Sequence, residues 1–280
     1  MGIPLPEPLA SPPIALTIAG FDPSGGAGIT ADLAVFAAHG LYGTAAVSIW
    51  TAQSTLGVAA TRQVDAGFLA ETLDVLYDDL RPAAIKIGAL GNGQTADTVG
   101  KFLKRFEIGP SAEPPAVRVF DPVLVSSSGR ELFEPEGLHE LLAGILPHVA
   151  WITPNWQELA VLSGQPVGDA DDVWRAMELL GQRYPMLSIV ATGGDQDAPV
   201  DRVRLASGQR AEIGGERIAS TATHGTGCAF SSALLCRLVA GEPALAAVRA
   251  AKRYVEEGIR RAPHVGTGKG PLDLLWPLRS

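Results

Sequence analysis

The sequence is poor in the residues that mark several protein classes. Only two cysteines occur in 280 residues, Cys228 and Cys236. They stand eight apart in one helical pattern, about 12 Å along a helix axis and beyond disulfide reach. No Cys/His cluster with metal-ligand spacing is visible, so a disulfide scaffold and a zinc module are excluded and a reducing compartment is expected. Positive charge is also scarce: 22 Lys and Arg stand against 30 Asp and Glu, a formal net charge of −8. No basic stripe compensates, which argues against a nucleic-acid surface. No apolar run reaches eighteen residues, so no membrane-spanning segment is expected. The first residues lack the basic start and apolar run of a signal peptide and the pattern of a myristoylation signal. The expectation is a soluble cytoplasmic protein.

What is present is ordinary globular material, 46% apolar and 19% charged, enough for a buried core without staples. The first thirteen residues hold five prolines and read as a tail. From residue 14 to 280 no linker splits the chain, and a single large domain is expected. Short β-rich runs at 14–20, 44–50, 83–88, 116–121, 149–152 and 187–192 alternate with helical periodicity at 26–39, 66–79, 94–107, 134–146 and 169–184. Such alternation predicts an α/β fold with a mostly parallel sheet covered on both faces. Runs flanking Gly208 predict a late hairpin. Two helices follow, about 226–241 and 243–261, separated by a Gly stop and a Pro start.

Ligands of such sheets bind beyond the C-terminal ends of the strands, and the unusual residues fall there. "GFDPSGGAGITAD" follows the first strand, with Gly25, Gly26 and Gly28 opening a helix and Asp22 and Asp32 as hydrogen-bond acceptors. It fits a dinucleotide fingerprint only loosely, and no acidic residue stands about twenty positions on, so that reading is rejected. Gln53, after the second strand, offers both a donor and an acceptor, suited to a ring nitrogen beside an amino group. Asp121 emerges from the fourth strand, and Asn155 and Glu158 lie three apart at a helix start. Asp121 and Glu158 could jointly hold Mg²⁺ through waters, while a helix-capping role is the plain alternative for Glu158. Paired glycines in "ATGGDQD" could approach phosphates or make a turn. Lastly, the amides of Gly225, Thr226, Gly227 and Cys228 open a helix and could cradle the charge of phosphoryl transfer. The same helix dipole is expected to lower the Cys228 thiol pKa, whereas Cys236 reads as a small apolar residue.

Taken in order, "LTIAGFDPSGGAGITAD", "TAQSTLGV", "KIGAL", "DPVLVSSSG", "ITPNWQE", "HGTGCAFSSAL" and "HVGTGKGP" resemble the hydroxymethylpyrimidine/phosphomethylpyrimidine kinases of thiamine biosynthesis, in the ribokinase-like superfamily. The resemblance implies a three-layer sandwich, usually a homodimer. It implies ATP and Mg²⁺, with phosphate passed to 4-amino-5-hydroxymethyl-2-methylpyrimidine and then to its monophosphate. By motif, Cys228 takes the place of the catalytic base and Gly225, Thr226, Gly227 and Cys228 that of the anion hole. Gln53, Asp22, Gly28, Asp32, Ala89 and Val123 fall on the substrate side. Asn155, Thr192, Gly193, Gly194 and His224 fall on the nucleotide side, and Asp121 and Glu158 serve the metal.

The chain also departs from that pattern. Thr192 and Asp195 stand where the family has K-G-G-H, which removes a positive charge from the nucleotide site. Lys86, Lys269 or a second metal ion are the candidates to replace it. Ala89 replaces a common methionine and widens the substrate pocket, Ser127 replaces a lysine, and Thr267 and Lys269 stand where histidines are frequent. A pyridoxal/pyridoxine kinase of the cysteine-containing type, or a ligand-binding relative with weakened turnover, are the alternative readings.

Overall fold

The computed structural model describes residues 11–105, 117–193 and 199–279. Most of the expected tail, together with Gly194 and Asp195, lies outside the described residues. Among the described residues nine strands form one sheet in the order β3-β2-β1-β4-β5-β6-β7-β8-β9. They are β1 (Ile14–Phe21), β2 (Tyr42–Ser54), β3 (Gly57–Gln63), β4 (Ala84–Ile87), β5 (Val117–Phe120), β6 (Trp151–Ile152), β7 (Ser188–Ala191), β8 (Asp201–Arg204) and β9 (Arg210–Ile213). The strands from β2 through β1, β4, β5 and β6 to β7 run parallel; β3 and β8 pair antiparallel with β2 and β7.

Helices cover both faces, as the alternation predicts. On one side pack α2 (Ala66–Asp79), α3 (Gly93–Arg105), α4 (Leu138–Gly144), α5 (Trp156–Ser163) and α6 (Ala170–Arg183). On the other lie α1 (Gly28–Ala38), α7 (Thr226–Val239) and α8 (Ala244–Arg260). Local chemistry sets several ends. Asp65 and Asp169 cap α2 and α6 by accepting from Phe68 N and Asp172 N. Gly164, at φ +69°, stops α5.

Strand period places the polar residues. Ala15 and Thr17 of β1, Ala84 and Lys86 of β4, and Val119 followed by Asp121 at the end of β5 point to the α1/α7 face. Leu16, Ile18, Ile85, Ile87 and Phe120 point to the other core. Polar side chains near the carboxyl ends of three adjacent central strands thus converge beneath α7.

Two expectations need correction. The second strand runs on to Ser54, and β3, unforeseen in the sequence, folds back on it through Thr55 and Leu56. Small residues in "GVAATRQ" give weak alternation, so the hairpin is specified by pairing with β2 more than by its own pattern. The single helix expected over 134–146 is a shorter α4 flanked by 3₁₀ turns at Pro135–Gly137 and Leu146–His148.

Candidate active site

A cavity of about 800 Å³ opens over the carboxyl ends of the strands, lined by residues from every expected motif. Its floor is built first. Lys86 is fully buried and places Nζ 2.9 Å from both carboxylate oxygens of Asp32. Asp32 also accepts from Thr17 Oγ1 at 2.6 Å and Ser232 Oγ at 2.7 Å. These donors saturate the carboxylate, and Asp32 is itself fully buried. Asp32, expected on the substrate side, therefore lies under the floor, outside the cavity lining, and holds Lys86. By the same token Lys86 is not free to reach a phosphate. Burial alone would lower the Lys86 pKa, but Asp32, Cys228 and Asp121 outweigh it and hold the group above the ordinary lysine range.

Asp121 is buried at the tip of β5 and accepts from Ser231 Oγ at 3.1 Å. Burial raises its pKa, Lys86 works against that rise, and Asp32 adds to it. Directly above, α7 begins. A side chain on Gly227 would come within 3.8 Å of Asp121 Oδ2, so the first turn of α7 sits over this carboxylate. Ala229 N is the first amide of α7 bonded back along the chain, to Gly225 O at 2.9 Å. The amides of Thr226, Gly227 and Cys228 precede it, as donors of a helix N-terminus that all line the cavity.

The glycines on either side have a geometric reason. Gly225 adopts φ +82°, and a Cβ there would stand 1.8 Å from Gly26 O. Gly28 adopts φ +55°, and its Cβ would meet Gly20 O at 2.1 Å. The two glycine loops thus pack backbone against backbone, which no side chain permits. One product of this contact is that the Gly28 backbone amide acts on the Cys228 sulfur and favours its thiolate.

The Cys228 thiol does not follow the sequence expectation. Burial pushes it up to about 12; Lys86 and the Gly28 amide pull it down, while Asp121 and Asp32 push it further up. Desolvation and two carboxylates outweigh the helix dipole, so the free protein carries a thiol. Cys236 is a buried apolar-face residue of α7, as expected.

At one end of the cavity Gln53 Nε2 is placed 2.9 Å from His224 Nε2, which lies 2.7 Å from Asp22 Oδ2. Asp22 also accepts from Ser24 N, Ser24 Oγ and Ala27 N. Ser127 Oγ stands 3.4 Å from His224 Nδ1, and Lys269 donates to Ser127 O at 2.9 Å. His224, expected beside the nucleotide, instead groups with Gln53 and Asp22, the residues expected on the substrate side. Ala89, Gly28 and Val123 line the same cavity. Lys269 therefore lies at this end as well.

At the other end Asn155 and Glu158 form a capping box. Asn155 Oδ1 accepts from Glu158 N and Glu158 Oε2 from Asn155 N, both at 2.9 Å. The capping role is thus realised, and Glu158 still lines the cavity with Asp121. Thr192 donates its amide to Pro154 O at 2.9 Å. Gly193 N donates to Asp201 Oδ1 at 3.0 Å, and Asp201 Oδ2 pairs with Lys252 Nζ at 2.8 Å. Lys252 and Arg217 line the cavity and were not singled out from the sequence. Lying in unremarkable helical and loop stretches, they carry no local signal. Ser231 and Ser232 likewise look like ordinary helix residues.

Two carboxylates, Asp121 and Glu158, present oxygen to one cavity, and among the described residues no cluster of three or more His, Cys, Asp or Glu forms a metal cage. An oxygen pair without a cage suits Mg²⁺, which keeps waters and borrows substrate phosphates.

Known proteins resemble this chain over most of its length. A hydroxymethylpyrimidine/phosphomethylpyrimidine kinase from Synechococcus elongatus is 37% identical over 268 residues, covering 95% of this chain and 98% of that one. The solved phosphomethylpyrimidine kinase of Clostridium difficile superposes with a TM-score of 0.74 at 31% identity, covering 88% of this chain and 99% of the other. Pyridoxal kinase of Staphylococcus aureus, solved with pyridoxal, gives 0.82 at 25% identity, covering 95% and 94%. The backbone is thus shared by both kinds of vitamin kinase, and the residues agree better with the pyrimidine enzymes. With the family model for phosphomethylpyrimidine kinase matching residues 22–273, the chain belongs to that family.

Proposed function

We propose that this enzyme transfers the γ-phosphoryl group of ATP to the hydroxymethyl group of 4-amino-5-hydroxymethyl-2-methylpyrimidine, and to the monophosphate that results. The observation that carries the reading is one cavity holding both a hydrogen-bonding amide, Gln53, and the α7 N-terminus with Cys228. The first can recognise a polar ring edge; the second can hold charge on a phosphoryl group in flight.

The chain's own groups divide the work. Gln53 orients the ring, with Ala89 leaving room beside it. Amides of Thr226, Gly227 and Cys228 stabilise negative charge on the transferring group, which is where most phosphoryl-transfer catalysis arises. Cys228 stands as the group that takes the hydroxyl proton, and Lys86 beneath it favours the thiolate that this requires. Mg²⁺ held by Asp121 and Glu158 would neutralise phosphate charge and offset the carboxylate that keeps the thiol protonated. Arg217 supplies positive charge in place of the lysine expected where Thr192 stands, while Lys252 is engaged by Asp201. Thr192, Gly193 and Asn155 form the nucleotide-side wall. We place the protein in the cytoplasm, as a homodimer with the single domain at 14–280.

Mass spectrometry of products from the pyrimidine alcohol and Mg-ATP tests the reading. Mono- and diphosphate are expected. Turnover of pyridoxal with none of the pyrimidine would move the assignment to the vitamin B6 kinases, and pyrimidine binding without any product would make the protein a binding relative.

A further inference from the structure

The hydrogen bonds around His224 do not balance with the Gln53 amide as placed. Asp22 accepts from Ser24 N, Ser24 Oγ and Ala27 N, the pattern of an ionised carboxylate. Burial pushes the Asp22 pKa up, but the bonds from His224 and Ser24 bring it below the ordinary aspartate value. Facing a carboxylate at 2.7 Å, His224 Nε2 must carry hydrogen. An Nε2–H cannot accept from the Gln53 Nε2 placed 2.9 Å away. A second conflict sits two residues earlier. Thr51 Oγ1 has one hydrogen and faces two acceptors, Phe21 O at 2.9 Å and Gln53 Oε1 at 3.2 Å.

A half-turn of the Gln53 amide, which exchanges atoms of nearly equal size, replaces the donor–donor clash at His224 with a donor–acceptor contact and relieves Thr51 of its second acceptor. The one hydrogen of His224 Nε2 is then shared between two acceptors, Asp22 Oδ2 and Gln53 Oε1. Gln53 Nε2 donates to Thr51 Oγ1, and Thr51 donates to Phe21 O. No donor then faces a donor, whereas the opposite order sets the Gln53 N–H against the His224 N–H, which a buried network tolerates poorly. What Gln53 has left for the cavity is then ordered: an oxygen lone pair at the His224 end and an N–H at the Thr51 end.

We infer that His224, held by Asp22, is a positioning residue that locks the Gln53 amide in this order and thereby makes the cavity select an amino-bearing ring over its oxo counterpart. The inference rests on the pyrimidine reading above. A 4-aminopyrimidine presents a donor beside a ring-nitrogen acceptor, which fits an oxygen beside an N–H. The 4-oxo analogue presents the reverse, and the lock denies the half-turn that would accommodate it. Leaving buried polar groups mismatched is the strongest form of discrimination available to such a pocket.

The test uses calorimetric binding of the 4-amino and 4-oxo pyrimidine alcohols to the full-length protein, so it needs no turnover. Wild type is expected to favour the amino compound by about a hundredfold or more. His224→Phe keeps a ring in place and removes the donor; it should cut that preference at least tenfold, chiefly by admitting the oxo compound. Equal weakening of both ligands would mean a merely structural histidine and would overturn the inference. Thr51→Val loosens the other end of the amide and should reduce the ratio likewise, which covers a poorly folded His224 variant. Independently of any ligand, ¹⁵N NMR of the imidazoles should find the His224 proton on Nε2. A proton on Nδ1 alone removes the lock even if the enzyme phosphorylates the pyrimidine, whereas failure to bind either pyrimidine with an Nε2 proton in place counts against the substrate reading.

Discussion

Lys86 Nζ lies 2.9 Å from each carboxylate oxygen of Asp32, and neither side chain reaches solvent. The pair joins the middle of the sheet to α1 directly beneath the first turn of α7. A buried pair of this kind adds little net stability over an apolar replacement, but losing one partner strands a charge. Lys86→Met is expected to lower stability by about 3–5 kcal/mol, read from urea unfolding. Combining it with Asp32→Asn should recover part of that loss. A single variant as stable as wild type would mean the carboxylate is not ionised in the fold.

Cys228 is expected to behave as a protonated thiol in the free protein. Its pKa, near 12 against an ordinary 9.0, means that the folded chain keeps this proton at pH values where the unfolded chain has lost it. Stability from this group is therefore full below pH 9.0 and falls as pH rises towards 12. Alkylation by iodoacetamide should accelerate about tenfold per pH unit from 7 upward, with no plateau near pH 8.5. Cys228→Ser should lower kcat far more than it raises KM, and near-normal kcat would remove the cysteine from proton transfer.

Glu158 has two duties that conservative variants can separate. Glu158→Gln keeps an acceptor for Asn155 N, so the cap survives and stability should fall by about 1 kcal/mol or less. The Mg²⁺ concentration for half-maximal rate should nevertheless rise severalfold. Asp121→Asn should reduce kcat at least tenfold, with a similar rise in the Mg²⁺ requirement. A magnesium titration of initial rates is the check, and unchanged midpoints in both variants would take the metal away from these two carboxylates.

Gly225→Ala forces a side chain into φ +82° and towards Gly26 O. The backbone strain alone is about 1–3 kcal/mol, and the clash can be relieved only by parting the two glycine loops. Melting temperature and kcat should fall together, because the Cys228 and Gly28 contact depends on that closeness. Loss of stability with full activity would show that the loops need not touch for catalysis.

Gln53→Leu removes both hydrogen-bonding ends presented to the ring. A loss of roughly 1–3 kcal/mol in pyrimidine affinity is expected, seen as a raised KM with a modest change in kcat. An unaltered KM would count against ring recognition at this residue.

Much of the fold was legible because it rests on local chemistry. Strand runs such as "IALTIAG" and helix periods such as 66–79 fall within a residue or two of β1 and α2. The Asn155 and Glu158 spacing announced a capping box, since its partners are three residues apart. The β3 strand was missed because its small residues carry little alternation and its pairing with β2 is tertiary.

The sequence by itself determined the α/β alternation, the placing of chemistry after the strands, the glycine turn before Cys228 and the family. All of these depend on residues close together along the chain. Only the tertiary structure decided that Asp32 belongs to Lys86 and that His224 belongs to Asp22, which is 202 positions away. It also decided the state of Cys228, whose helix position favours a thiolate while the desolvation and carboxylates gathered around it favour the thiol. Helix position is read from neighbours in sequence, whereas burial and charge are sums over neighbours in space.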